Sequence, residues 1–359
     1  LDTATNDFMT SLALMGMNVD VTDTNALDLA ASTVTGTLDL MVGSDLTDSG
    51  ALSVTGLTSI DAAGSNVTLD TATNMFSSVE VDGVNVNLVD ADDIDLGESD
   101  ITGTLDVTAA GDITDSGSLD VAGVATLDAG TDDIMLDDAA NNFSTVMLMG
   151  ADVSLVDEDA IILGASTITG DLDITAGGAV TDSGTITVTG DTSVMATGFD
   201  ITLADASSDF GTIDLDGANV SIVDVDDVDL GVVTATGTLD VTAGGAVTDS
   251  GTVDVTGATT VTATGFDISL NTVDNNFDSV MLDGANITVV DEDALDIGMT
   301  TATGTLMVTA GGAVTDSGTI DATGATTVTA TGFDITLDDA ANAFSTINLD
   351  GVNLNVVDM

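Results

Sequence analysis

Apolar and polar residues alternate in short runs along the chain. Leu38/Leu40, Leu105/Val107, Leu172/Ile174, Leu239/Val241 and Leu306/Val308 are each split by one residue: Asp39, Asp106, Asp173, Asp240 or Met307. A period of two predicts half-buried strands with the intervening residue in solvent. A second strand runs through Ile186/Val188 and Val253/Val255 and is ended by Gly190 and Gly257, and a third spans Thr259–Thr262. Phe199, Phe266 and Phe333 open Phe-Asp-Ile-Thr/Ser-Leu strands. After a polar loop, Phe76, Phe143, Phe210, Phe277 and Phe344 open the next stretch. No segment has the periodicity of an amphipathic helix.

These stations recur. Thr-Asp-Ser-Gly stands at Thr47–Gly50, Thr114–Gly117, Thr181–Gly184, Thr248–Gly251 and Thr315–Gly318, each copy numbered 67 above the one before. A long repeat in strict register marks a solenoid, whose units bury their apolar faces only by stacking. The expected fold is all-β: a parallel β-helix solenoid with 67-residue repeats of about three coils, each coil about 22 residues. Residues 1–359 read as one continuous solenoid of five repeats and a partial one. The interval from Phe8 to Phe76 is one position longer than that from Gly16 to Gly83, and the extra residue signals a bulge. The first and last segments share a phase of the repeat, which suggests a window of a longer chain or a fibre subunit. Uncapped β edges at both ends favour end-to-end self-association.

Charge narrows the function. Sixty-two Asp and Glu face no Lys, Arg or His, for a formal net charge of −62, yet 43% of residues are apolar. That is enough to build a core, so the chain is not a disordered acidic tail. Nucleic acid is excluded as a partner, because phosphate binding needs Lys or Arg. Anionic membrane surfaces repel the chain, and no apolar run is long enough for membrane insertion. Self-repulsion calls for a cation, with Ca²⁺ the candidate cofactor because it prefers oxygen ligands. That points to an extracellular or cell-surface setting.

Three polar columns carry the candidate chemistry. Asp23/Asn25, Asp90/Asp92, Asp157/Asp159, Asp224/Asp226 and Asp291/Asp293 each form Asp-x-Asp/Asn, which could converge on one Ca²⁺ within a turn or simply be a solvated turn. Equivalent residues in successive repeats are too far apart to share an ion. Asp48, Asp115, Asp182, Asp249 and Asp316 of Thr-Asp-Ser-Gly read as turn residues bonding nearby amides, with the following Gly at positive φ and cation binding as the alternative. Asn18, Asn85, Asp152, Asn219, Asn286 and Asn353 follow Gly-x and read as turn residues, while Asn66, Asn142, Asn219 and Asn286 also head glycosylation sequons. Catalysis is not expected: the acids recur in every repeat, and most other acids, bases and nucleophiles are missing.

The run Gly237–Gly251, Gly-Thr-Leu-Asp-Val-Thr-Ala-Gly-Gly-Ala-Val-Thr-Asp-Ser-Gly, with Asn-Phe and Gly-Ala-Asn-Ile-Thr-Val-Val-Asp after it, resembles the repeat regions of large bacterial surface adhesins. Those are similar to filamentous haemagglutinin and two-partner-secreted proteins. The resemblance implies a right-handed parallel β-helix, export, and a stalk or fibre role. The expectation is therefore a non-enzymatic filament, stalk or biofilm-matrix fibre. The alternative is an adhesin segment that binds glycan, ice, mineral or a neighbouring cell surface through a repeated Thr/Asp face.

Overall fold

The computed structural model describes residues 1–3 and 5–359. The chain forms two compact units, Leu1–Gly178 and Ala179–Met359. Each is a parallel β-solenoid built from short strands, with no helix among the described residues. The alternation predicted for the Leu-Asp-Val stations is met. In Leu105–Ala109, Leu105, Val107 and Ala109 are buried while Asp106 and Thr108 are exposed. The core of each unit is a stack of Leu, Ile and Val with one buried Phe per repeat, Phe76 and Phe143 in the first unit and Phe210 and Phe277 in the second.

Strand register refines the coil. In the first unit Val67 pairs with Val86, Val86 with Leu105, Leu105 with Ala125, Ala125 with Val146, and Val146 with Leu163. The chain returns to the same column at each of these steps, so each step is one coil. Ile134 is the equivalent of Val67 one repeat later, yet it lies outside this column. It falls between Ala125 and Val146 and pairs instead with Ile113 and Val153. The second unit behaves identically: Ile201, Val220, Leu239, Thr259, Val280 and Ile297 form one column. Ile268 pairs with Val247 and Ile287 outside it. The expected unit of about three coils is therefore three and a half, and equivalent residues alternate between opposite sides of the coil. At ~4.8 Å per rung, they return to the same side after seven rungs, ~34 Å along the axis.

The glycines follow from how closely rungs approach. Gly190 and Gly257 do not end strands, as the sequence suggests. They sit inside Ile186–Met195 and Val253–Thr262, where the register shifts as the strand turns a corner. Gly257 donates its amide to the Gly237 carbonyl at 2.8 Å, and a Cβ there would lie 2.6 Å from that oxygen. The Gly of Thr-Asp-Ser-Gly does not take positive φ; only Gly64, Gly130, Gly198, Gly265 and Gly332 do among the described residues. It is required for space, since a Cβ on Gly318 would lie 2.5 Å from the Met299 amide nitrogen. The extra residue after Phe8 is absorbed in a stretch without strand, because Leu12 already bridges Leu29 in the common register.

Candidate functional site

The Asp-x-Asp column is a set of buried backbone caps. Asp90 is only 2% exposed; its Oδ2 accepts the Phe76 amide at 2.6 Å and its Oδ1 the Asp92 amide at 2.9 Å. Asp23, Asp157 and Asp224 repeat this, taking the amides of Phe8, Phe143 and Phe210 and those of Asn25, Asp159 and Asp226. Asp291 takes the Phe277 amide on Oδ1 at 2.8 Å, while its buried Oδ2 has no hydrogen-bond partner. The caps at Asp90, Asp157, Asp224 and Asp291 thus anchor the start of the preceding Phe strand. Burial pushes Asp90 up to about 7 and Asp224 and Asp291 up to about 6. Asp157 is raised for the same reason, and the amide bonds offset only part of the effect.

The second member of each pair, Asn25, Asp92, Asp159, Asp226 or Asp293, is exposed. Each turn therefore offers few free oxygens against the roughly six to eight that Ca²⁺ takes. No group of three or more acidic side chains among the described residues is placed to hold a metal ion. The donor set does not fit a calcium ion chelated by one turn.

The Thr-Asp-Ser-Gly carboxylate reaches the next rung rather than its own turn. Asp48 accepts the amides of Asp70 and Thr71 at 3.0 and 3.3 Å, and Asn74 Nδ2 at 2.7 Å. Asn74 is fully buried, and its Oδ1 accepts the Leu52 amide at 2.8 Å. Asp115 with Asn141, Asp249 with Asn275, and Asp316 with Asn342 repeat the clamp. In the remaining repeat Ser208 replaces Asn and takes the Ile186 amide at 3.0 Å. Burial also raises Asp115, though hydrogen bonds from Asn141 and two amides oppose it.

The Gly-x-Asn column forms an external ladder along a corner. Asn219 donates Nδ2–H to Asp200 Oδ1 at 2.8 Å, while its own Oδ1 accepts the Thr238 amide and hydroxyl at 3.2 Å. Asn286 does the same with Asp267 and Thr305. All three columns are thus largely committed to holding rung on rung.

One recurring feature is invisible to strand alternation. Asn142–Gly150 pairs with one strand at Val146–Leu163 and with another at Gly150–Ile168. Between them the Leu148 amide turns to buried Ser166 Oγ at 3.1 Å, and that hydroxyl donates to the Gly164 carbonyl at 3.0 Å. The interrupted sheet leaves a shallow groove outside. Its first copy, ≈ 230 Å³, is lined by Asp61, Glu80, Asp82 and Glu98. The equivalent copy one repeat on, ≈ 130 Å³, carries Asp128, Met147, Met149 and Ala165. The next, ≈ 320 Å³, has Met195, Asp214, Asp216 and Val232. The lining changes from acidic to largely apolar to mixed, and at the third groove a single strand, Val228–Ala235, runs past with a register shift and Val233 in place of the serine.

A family model described as repeats of unknown function (DUF5649) matches residues 16–81, 83–149, 150–215, 217–282 and 284–349. The chain belongs to this repeat family. No curated protein and no solved structure matches it. In this DUF5649 chain each matched repeat opens at or beside the glycine that precedes the Asn/Asp ladder. The caps are the constant part of the repeat, and the groove lining is the variable part. Period-two alternation could not have found the groove, because it arises from a break in pairing. The short Gly-x-Ser/Thr and Gly-x-x-Thr segments after the acidic turn are its only sequence trace.

Proposed function

We propose that this chain is a non-enzymatic structural repeat of an extracellular or cell-surface filament, stalk or matrix fibre. One observation carries the reading: the recurrent polar residues are committed to inter-rung hydrogen bonds, as Asp90 to Phe76 and Asp48 to Asn74. A site that repeats because the scaffold repeats serves the scaffold. Cations act as diffuse counter-ions to the −62 surface. Having no Lys or Arg, the chain gives trypsin-like proteases no cleavage site, as suits a durable external fibre. Electron microscopy of the native material tests the reading. Filaments are expected, and dispersed particles at physiological salt would overturn it.

A further inference from the structure

Methionine is kept out of the core. Among the described residues none of the 13 Met is buried, although Leu, Ile, Val and Phe fill the interior. Flexible Met ordinarily fills gaps in cores, so its confinement to the outside is unusual. Met41, Met135, Met149, Met195 and Met307 occupy outward positions of strands and are between 42% and 53% exposed. They do not form an apolar patch, because each has polar neighbours on the adjoining rungs. Met41 pairs with Thr22 and Asp61, Met135 with Thr114 and Ser154, and Met149 with Asp128 and Thr167. Met307 pairs with Thr288 and Thr327, and Met195 with Asp216. Each thioether is therefore presented singly to solvent, which suits a reaction at sulfur better than docking of an apolar partner.

The fold does not need an apolar group at these stations. Thr108, Thr175 and Thr242 are the equivalents of Met41, and Asp82, Asp216 and Asp283 those of Met149. Asp106, Asp173 and Asp240 correspond to Met307, Thr68 and Thr202 to Met135, and Asp61 and Asp128 to Met195. The thioether is also the one readily oxidised side chain present, since Cys, Trp, Tyr and His are absent. Oxidation to the sulfoxide makes an apolar side chain polar and disrupts a core that contains it. Here it would place a polar group where other repeats already carry one, and the core has no sulfur to lose.

We propose that Met41, Met135, Met149, Met195 and Met307 are sacrificial oxidation sites through which the folded solenoid consumes neutral hydroperoxides. A sulfur lone pair takes one peroxide oxygen as the O–O bond breaks. The thioether is oxidised to the sulfoxide, and the peroxide is reduced to water or an alcohol, which keeps the peroxide proton. The −62 surface repels anionic oxidants and leaves neutral ones free to approach. This activity uses residues apart from the caps and does not depend on filament formation.

Titration of the whole chain with hydrogen peroxide tests it, read by mass mapping after digestion with an Asp-specific protease and by thermal unfolding. Each of the five Met should gain one oxygen atom while the chain stays folded, and the Tm of the oxidised chain should match that of the parent. Leu172→Met puts a thioether where the native side chain is 1% exposed. That engineered Met should oxidise at least about tenfold more slowly than the five, because the core must open first. A variant carrying Met41→Thr, Met135→Thr, Met149→Thr, Met195→Thr and Met307→Thr should unfold like the parent and take up five fewer oxygen atoms. A fall in Tm on oxidation would overturn the proposal. So would oxidation of the five no faster than that of the engineered core Met, or undiminished uptake by the fivefold variant.

Discussion

Asp48 and Asn74 are joined across one rung by a 2.7 Å hydrogen bond from Nδ2 to Oδ2. The amide side chain is fully buried and passes the contact on to the Leu52 backbone amide. A half-buried carboxylate and an interior amide thus form one clamp, and the same clamp recurs as Asp115–Asn141, Asp249–Asn275 and Asp316–Asn342. An unpaired buried amide costs about 1–3 kcal/mol. Asn275→Ala strands the Val253 amide and one carboxylate contact of Asp249. It should lower unfolding free energy by about 1–3 kcal/mol in urea titration. Asn275→Ser should cost less, since Ser208 already fills this station and takes the Ile186 amide.

Two kinds of glycine should respond differently to alanine. Gly318 has backbone 2.5 Å from where a Cβ would stand, whereas Gly265 has open space and is constrained only by its φ of +86°. Gly318→Ala should cost about 3 kcal/mol, through forced separation of rungs. Gly265→Ala should cost about 1 kcal/mol, from left-handed backbone alone. Equal costs in parallel denaturation curves would show that the rungs are not packed this closely.

Acid should stabilise this protein over a range where it weakens many others. Asp90 at about 7 and Asp224 and Asp291 at about 6 lie above the ordinary carboxylate value of 3.8, chiefly because they are buried. Neighbouring carboxylates push the same way: Asp92 on Asp90, Asp226 and Asp209 on Asp224, Asp293 and Glu292 on Asp291. The folded state holds these protons more tightly than the unfolded chain, so their contribution is full below about 3.8 and is lost as pH rises through about 6 to 7. At constant ionic strength the Tm should rise as pH falls from about 8 to 5. Asp90→Asn should flatten part of that rise.

Monovalent salt should also raise Tm, by screening the −62 surface. Because four of the Asp-x-Asp caps hold a backbone amide on each oxygen, removing Ca²⁺ with chelator at matched ionic strength should leave Tm unchanged. A drop of several degrees would instead reveal a discrete calcium site.

The repeat and the strand alternation were legible in the sequence because inward residues such as Leu105 and Val107 face a continuous core. The number of rungs per repeat was less so. It depends on strand pairs such as Val67–Val86, whose members sit at dissimilar stations of the repeat. The caps were visible as Asp columns, but their partners were not. Asp48 looks local to its own turn, and only stacking brings Asp70, Thr71 and Asn74 to it. Exposed and buried Phe were indistinguishable in the sequence, since Phe199, Phe266 and Phe333 recur at the same 67-residue interval as the buried ones.

The central claim is that three and a half rungs make one repeat, so equivalent stations face opposite ways. The chain lacks cysteine, so paired spin labels can be placed without ambiguity. Thr202 and Thr260 share a column three rungs apart through Ser221 and Asp240, whereas Ser269 is the one-repeat equivalent of Thr202. Electron–electron distance measurement on Thr202→Cys/Thr260→Cys should give a separation near ~14 Å plus label length. Thr202→Cys/Ser269→Cys should give a clearly longer one, across the coil. The opposite order, with the one-repeat pair the closer of the two, would contradict the account.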